Sequence, residues 1–341
     1  MDVCTWRRRG GAIAVAASLV LLASCGGAGA KDDQKSKQYS LGYDQPPESA
    51  YGISAKIFEE ELESCSDGTI DIKPYPNAQL GSEPELLQGV MKGDLDFVFS
   101  GTANASTVSA QLGVFSLHYL IENEAQYEKV LGDPEIAQAV NDLVEDTVDG
   151  ASFLGLHTLG FRDVYSDKPV HSVEDVKGWK VRVQTTKTED EMWGAYGAQT
   201  VHMDFGEVYT ALQNNLIDAA ENGIGIYEVN KHYEVAPVLS LTEHVTNTMM
   251  MWESDTTRKH LTDKEQKCVE QAATKVSTEQ PKLARELDAK SLASLKDLGV
   301  KVVEDVDKES FAARVRPINE RVAEGLGPHA QEIYGLIEGL K

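Results

Sequence analysis

The chain of 341 residues is short of positive charge and of cysteine. Its 32 Lys and Arg stand against 55 Asp and Glu, a formal net charge of −23. This balance excludes nucleic-acid binding, which draws its affinity from Lys and Arg neutralising phosphates. It equally excludes attachment to anionic lipid through a polybasic patch. The four cysteines include no C-x-x-C pair, which leaves zinc-ribbon and dithiol redox motifs without support. The eight histidines never fall in H-E-x-x-H or another close metal spacing, and no metal site is expected. A G-x-S-x-G elbow and a Walker A loop are also missing. Gly223 and Gly225 begin a G-x-G, but Glu228 stands where the third glycine of a dinucleotide fingerprint belongs. The expectation is a protein without cofactor and without catalysis. What is present, 41% hydrophobic and 26% charged residues, is the mix of a folded chain rather than a disordered one. At roughly 150 residues per domain the length fits about two domains.

The N-terminus reads as a targeting segment. Arg7, Arg8 and Arg9 precede an apolar run from Ala12 to Ala23. That run is too short for the roughly 20 residues that span a bilayer, but it suits a secretory leader. It ends Leu22-Ala23-Ser24-Cys25, which resembles the bacterial lipobox, cleaved before a cysteine that takes lipid. The expectation is a leader over 1–24, a lipid-anchored Cys25 carrying palmitate, and a flexible tether over 25–37 spanning about 19 Å. The protein is then extracytoplasmic, tied to a bacterial membrane at the periplasm or cell surface. With Cys4 and Cys25 accounted for, Cys65 and Cys268 remain. In an oxidising compartment they pair as a disulfide, or else stay as two buried thiols.

The remainder alternates strand and helix patterns, which predicts α/β layers with mostly parallel sheets. Gln38–Tyr43, Thr69–Lys73, Leu95–Ser100, Phe153–Leu159, Trp179–Gln184, Gln199–Met203, Leu216–Ala220 and Thr246–Glu253 read as strands. Helical spacing marks Ala50–Glu63, and Ser82 with Glu85 has the spacing of a capping box. Thr262 with Glu265 opens a helix that Gly299 closes, about 54 Å long, with Pro281 expected to kink or split it. Such a helix is long enough to run across two domains.

Trp179-Lys180-Val181-Arg182-Val183-Gln184 places Val181 and Val183 on one face and Arg182 on the other. Arg182 falls late in its strand, where ligands bind in open α/β sheets, and its fork of donors matches a carboxylate. From pattern alone, a salt bridge to one of the many acidic residues remains the alternative.

Several segments in register resemble the TRAP-transporter (tripartite ATP-independent periplasmic) solute-binding proteins of the DctP-like family. Pro76-Asn77-Ala78-Gln79-Leu80-Gly81-Ser82-Glu83 and Gly93-Asp94-Leu95-Asp96-Phe97 match its P-x-x-Q-L-G-x-[ED] and G-x-[VL]-D signatures. Gly160-Phe161-Arg162, Lys177 to Val183, Met203 to Gln213 and Ile217 to Asn222 follow in the family's order. The resemblance implies a two-lobed clamshell, each lobe a sheet flanked by helices, with a long helix spanning both. One lobe is expected over 38–158 plus 247–286, the other over 159–246 plus 287–341. It also implies capture of a small organic acid and delivery to the small and large membrane subunits of an ion-driven permease.

By the same resemblance Arg182 grips the ligand carboxylate, and Arg162, Phe205 and Asn222 line the cleft with it. Asp44, Gln45, Gln79, Glu83 and Tyr209 fall at or near cleft positions, where each could equally be a cap or a solvated loop residue. Sialic-acid-binding members carry a Glu and an Arg where this chain has Gly101 and Asn104, which disfavours sialate. Asn104 suits sugar hydroxyls, and two arginines with amides favour a uronate or aldonate over a C4-dicarboxylate or keto acid. A ligand sensor feeding a signalling partner and an extracytoplasmic sugar-acid enzyme are the competing readings.

Overall fold

The computed structural model describes residues 36–341. The leader, Cys25 and nearly all of the expected tether lie outside the described residues. Among the described residues the strands are β1 (Lys37–Gly42), β2 (Ile70–Tyr75), β3 (Phe97–Gly101), β4 (Ala151–Ser166), β5 (Lys180–Val183), β6 (Gln199–His202), β7 (Ala219–Gly223), β8 (Val238–Ser254) and β9 (Lys301–Val303). They form one mixed sheet in the order β2-β1-β3-β8-β4-β7-β5-β6, with β9 pairing on β8.

The wings of this sheet are parallel, as helix crossovers require: β1 with β2 and β3, β5 with β6 and β7. Its centre is antiparallel, because β8 pairs with β3 and β4, and β4 with β7. The expectation of mostly parallel sheets is therefore corrected at the centre. There two long strands, β4 of 16 residues and β8 of 17, run from one wing into the other. The two flanked sheets of the expected clamshell are thus halves of one sheet joined by shared strands.

The ladder between β4 and β8 shifts register between Thr158 and Phe161. Gly160 sits in that gap at φ +80°, and a Cβ there would lie 2.2 Å from Asp288 Oδ2, which leaves no room for a side chain. The backbone groups freed at Thr158 find a substitute partner in the Gln280 amide. Gln280 Oε1 accepts from Thr158 N at 3.2 Å, and its Nε2 donates to Thr158 O at 2.7 Å. Two of the three expected lobe boundaries, 158/159 and 246/247, fall on this irregular stretch, where Phe161 pairs with Thr246, and the third, 286/287, lies within the long helix that follows.

Gln280 belongs to the long helix Asp263–Asp297. Its N-terminus is fixed by the capping box, Thr262 N donating to Glu265 Oε2 at 2.8 Å. The 35 residues continue through Pro281 without being split, a length of about 52 Å at 1.5 Å per residue. The early part of this helix and the helix Ala50–Cys65 cover β1 and β3, burying Leu41, Phe58, Phe97, Phe99 and Val269. Each such side chain contributes roughly 1.5–3 kcal/mol by leaving water. A disulfide joins Cys65 to Cys268 between the two helices, with their Cα atoms 5.5 Å apart. On the other wing Tyr165, Val208, Tyr227, Leu239 and Leu295 form a separate core.

Two local details aim side chains at the cleft between the wings. The capping box of Ser82 and Glu85 starts the helix Glu83–Lys92, so Glu83 occupies its first turn and turns inward, 5% exposed. The strand expected over Leu216–Ala220 instead runs Ala219–Gly223, with Leu216 62% exposed before it and Glu221 and Asn222 buried within it.

Candidate functional site

A cavity of about 370 Å³ lies between the wings and narrows into a small recess. Asp44, Glu83, Asn104, Arg182 and Phe205 line both parts, so mouth and recess are one cleft. This volume falls within the usual range for a small-molecule site.

Arg182 projects from β5 while Val181 and Val183 pack into the core, the alternation the strand pattern predicts. Its Nε and Nη2 donate to the Met203 carbonyl at 3.2 and 2.8 Å. Among the described residues it makes no ion pair, and the Nη1–Nη2 edge of its fork faces the cleft unpaired. The residue is 3% exposed. Burial lowers its pKa, yet a guanidinium starts so high that it stays charged. The Phe205 ring centre lies 5.8 Å from its central carbon, and His232 stacks on Phe205 at 5.3 Å. His232 Nδ1 is 2.9 Å from the Tyr165 hydroxyl. Burial, then the Arg182 charge, push the His232 pKa down to about 4, so the ring is neutral near pH 7.

Arg162, on β4, has a different standing. Its Nε is bonded to Glu221 Oε2. Nη2 donates to Glu221 Oε1 and to the Glu221 carbonyl, each at 2.8 Å. Nη1 donates to Asn247 Oδ1 at 2.8 Å and Asn222 Oδ1 at 3.2 Å. All five N–H donors of the guanidinium are thereby used. Burial opposes both charges of this pair, but their mutual attraction prevails, raising the Arg162 pKa and holding Glu221 below the usual carboxylate range. Arg162 lines the recess, but its charge is cancelled and its donors are occupied. Arg162 thus lies at the cleft, as expected, with its donors spent on protein partners. It fixes Asn222, whose Oδ1 also accepts from Asn247 Nδ2 at 2.8 Å, leaving the Asn222 amide N–H groups as its remaining donors.

The facing wall is acidic. Glu83 Oε1 accepts from the Tyr51 hydroxyl, and its Oε2 accepts from Gly101 N at 2.9 Å and Asn104 Nδ2 at 2.7 Å. One of the two Asn104 amide N–H groups is thus engaged by Glu83, which leaves the other N–H and Oδ1 for a ligand. Asp44 Oδ1 accepts from Gln45 Nε2 at 3.0 Å, and Gln45 Oε1 accepts from Asn230 Nδ2 at 3.0 Å, a bond across the cleft. Burial first, then the Glu83 charge, raise the Asp44 pKa well above the ordinary range. Tyr209 stands at the mouth with its hydroxyl donating to Glu234 Oε2 at 2.9 Å. Gln79 is exposed and lines neither part of the cleft.

His232, Asn230 and Asn247 were not legible as cleft residues, nor was Glu221 as the partner that holds Arg162. Glu221 lies inside the D-x-x-E-N segment, where a charged residue in a strand was the available signal. Among the described residues no group of three His, Cys, Asp or Glu side chains is placed to hold a metal ion, and no helix is long and apolar enough to cross a membrane.

Residues 41–325 match the family described as bacterial extracellular solute-binding protein, family 7 (DctP). The chain belongs to this family. A solute-binding protein of Chromohalobacter salexigens is 31% identical over 81% of this chain and 82% of its own length. A TRAP periplasmic solute-binding protein of Xanthobacter autotrophicus, solved with bound β-D-galacturonate, is 30% identical. It covers 89% of this chain and 100% of its own, with a TM-score of 0.83. The sugar acid binding protein of Advenella mimigardefordensis, in complex with galactonate, superposes with a TM-score of 0.84 at 26% identity, covering 90% of this chain and 99% of its own. Members of family 7 are extracytoplasmic solute-binding transport proteins, and in this member the cleft between the wings holds the buried Arg182 with no ion-pair partner among the described residues.

Proposed function

We propose that this family 7 member captures a sugar acid, a uronate or an aldonate, and passes it to the small and large membrane subunits of a TRAP permease. Arg182 carries the reading. It is a buried cation with no carboxylate partner among the described residues, and its free edge presents two parallel N–H groups to a polar cavity. A ligand carboxylate completes that pairing with two charge-assisted hydrogen bonds. Phe205 offers an apolar face, while Asn222, Asn104, Glu83 and Asp44 surround the rest of the molecule with donors and acceptors suited to hydroxyls. The likeness to relatives holding galacturonate and galactonate supports the same ligand class. We assign no reaction to the site, in keeping with a family of solute-binding transport proteins. Closure of the wings expels water and is stabilised by the ligand bridging them. Lipid attachment through Cys25, with residues 25–37 as tether, places the cleft at a membrane surface within reach of the permease.

The test is a thermal-shift panel of uronates, aldonates, keto acids and C4-dicarboxylates on the soluble chain, followed by titration calorimetry of the hits. A native-state ligand raises the unfolding midpoint with the logarithm of its concentration over Kd. Uronates or aldonates are expected to give the largest shifts. Shifts confined to keto acids or dicarboxylates refute the assignment.

A further inference from the structure

The charge pattern of the cleft limits the solute more narrowly than its carboxylate does. Two cations line the cleft, Arg162 and Arg182, and Glu221 cancels the first. Arg182 alone is left for an incoming anion. Its opposite wall is built from carboxyl groups: Glu83 sits in a cradle of three donors from its own wing, and Asp44 stands beside it with a single donor from Gln45. Three donors fix Glu83 so that it cannot swing away from an approaching charge, and they leave its carboxylate room to accept from a ligand hydroxyl. Asp204 adds another carboxyl at the mouth, and no lysine lines either part. His232, the remaining basic side chain, is neutral near pH 7.

Building on the sugar-acid reading, we propose that the Asp44–Glu83 wall restricts the cleft to solutes with one negative charge. A polyhydroxylated monocarboxylate docks its carboxylate on Arg182 and gives its far hydroxyls to these carboxyl groups. The diacid of the same chain length, an aldarate, brings a second carboxylate to the same wall and finds no cation there. Like charges brought together without solvent cost enough to suppress binding by about thirtyfold or more. Hydroxyls suit the wall for the converse reason, since a carboxylate is an acceptor that an O–H group satisfies. Burial first, and the Glu83 charge second, raise the Asp44 pKa, so this wall disfavours further negative charge even before a ligand arrives.

The experiment compares D-gluconate, D-glucuronate and D-glucarate, together with the galactose-derived set, by titration calorimetry at pH 7.5 on the soluble chain. They share six carbons and differ in the number of carboxylates. The same titrations follow on Asp44→Asn and, separately, Glu83→Gln, with the unligated unfolding midpoint of each variant measured as a folding control. The expected result is binding of a monoacid at least about thirtyfold tighter than its diacid, with that ratio narrowing in Asp44→Asn. A diacid that binds the unsubstituted protein within threefold of its monoacid overturns the charge limit and leaves the sugar-acid reading standing. A ratio unchanged in both variants, with midpoints preserved, also overturns it, because the discrimination then lies elsewhere. If no acid of either kind binds, the sugar-acid reading itself falls and the selectivity falls with it.

Discussion

Replacing Arg182 by lysine separates a recognition fork from a mere positive charge. Of its five N–H donors, one on Nε and one on Nη2 brace the side chain against the Met203 carbonyl. The other Nη2 hydrogen and one on Nη1 point the same way, at the spacing of carboxylate oxygens. Lysine keeps the charge but offers a rotating ammonium in place of two parallel donors. It can meet the ligand or the Met203 carbonyl well, and not both in the arginine geometry. The loss is one charge-assisted hydrogen bond, about 1.5–3 kcal/mol, which raises Kd roughly 10- to 150-fold. Arg182→Met removes both bonds and the charge, about 3–6 kcal/mol, and raises Kd by about 10² to 10⁴.

Titration calorimetry with the best uronate or aldonate measures both variants, and the unfolding midpoint without ligand shows whether the fold is intact. Arg162→Lys supplies the contrast. Its guanidinium is fully occupied by Glu221, Asn222 and Asn247, so substitution strikes the unligated protein first, lowering the midpoint before any ligand is added. An Arg182→Lys protein that binds within threefold of the parent refutes the fork. So does an Arg182 variant that loses stability while Arg162→Lys loses only affinity, because the two roles are then reversed.

Further consequences follow from charge and connectivity. Burial pushes the Glu253 pKa up to about 7, so the folded chain holds a proton that the unfolded chain releases near 4.5. This contribution to stability is present below pH 4.5 and is lost as pH rises to about 7, by at most about 3 kcal/mol. In urea unfolding between pH 4 and 8, Glu253→Gln is expected to flatten the profile in that window, and parallel profiles for parent and variant reject the assignment. The Cys65–Cys268 disulfide closes a loop of 203 residues. Cys65→Ser with Cys268→Ser is expected to cost about 2–5 kcal/mol of unfolding free energy, and an unchanged urea midpoint counts against that. With a net charge of −23 the exterior repels an anion, so salt should speed association while leaving dissociation nearly unchanged. Stopped-flow association that slows sharply with salt would place the steering charge outside the cleft.

The wings of the fold were legible because their patterns are local. The capping boxes at Ser82–Glu85 and Thr262–Glu265 lie three residues apart and mark helix starts that the structure reproduces. The centre was not legible, and the reason is chemical. β4 and β8 carry His157, Thr158, Arg162, Asp163, Thr242, His244, Thr246 and Asn247, all buried. Polar residues in the interior interrupt the apolar runs from which a buried strand is read, so these strands looked short. They stay buried because each finds a partner: Thr242 Oγ1 accepts from Val164 N at 3.2 Å, and Asp163 Oδ1 accepts from Glu243 N at 2.9 Å. The direction of pairing has no local signature at all, which is why an alternating pattern predicted parallel strands where the centre is antiparallel.

The site shows the same division between local and distant information. Arg182 was legible from alternation within six residues and from its place late in a strand. Arg162 is the same residue type, on a strand of the same sheet, and its sequence neighbourhood does not distinguish it. What separates the two is a carboxylate 59 residues away and an asparagine 85 residues away, both brought in by strand pairing. Those partners leave Arg162 charge-compensated and saturated, bonded to Asn222. Their absence around Arg182 leaves a cation that can be neutralised only by something entering the cleft. Specificity therefore does not follow from counting arginines at a site. It follows from which of them the fold has already paired, and in this chain one free fork facing Asp44 and Glu83 is the arrangement from which we infer both the attraction of an acid and the refusal of a second carboxylate.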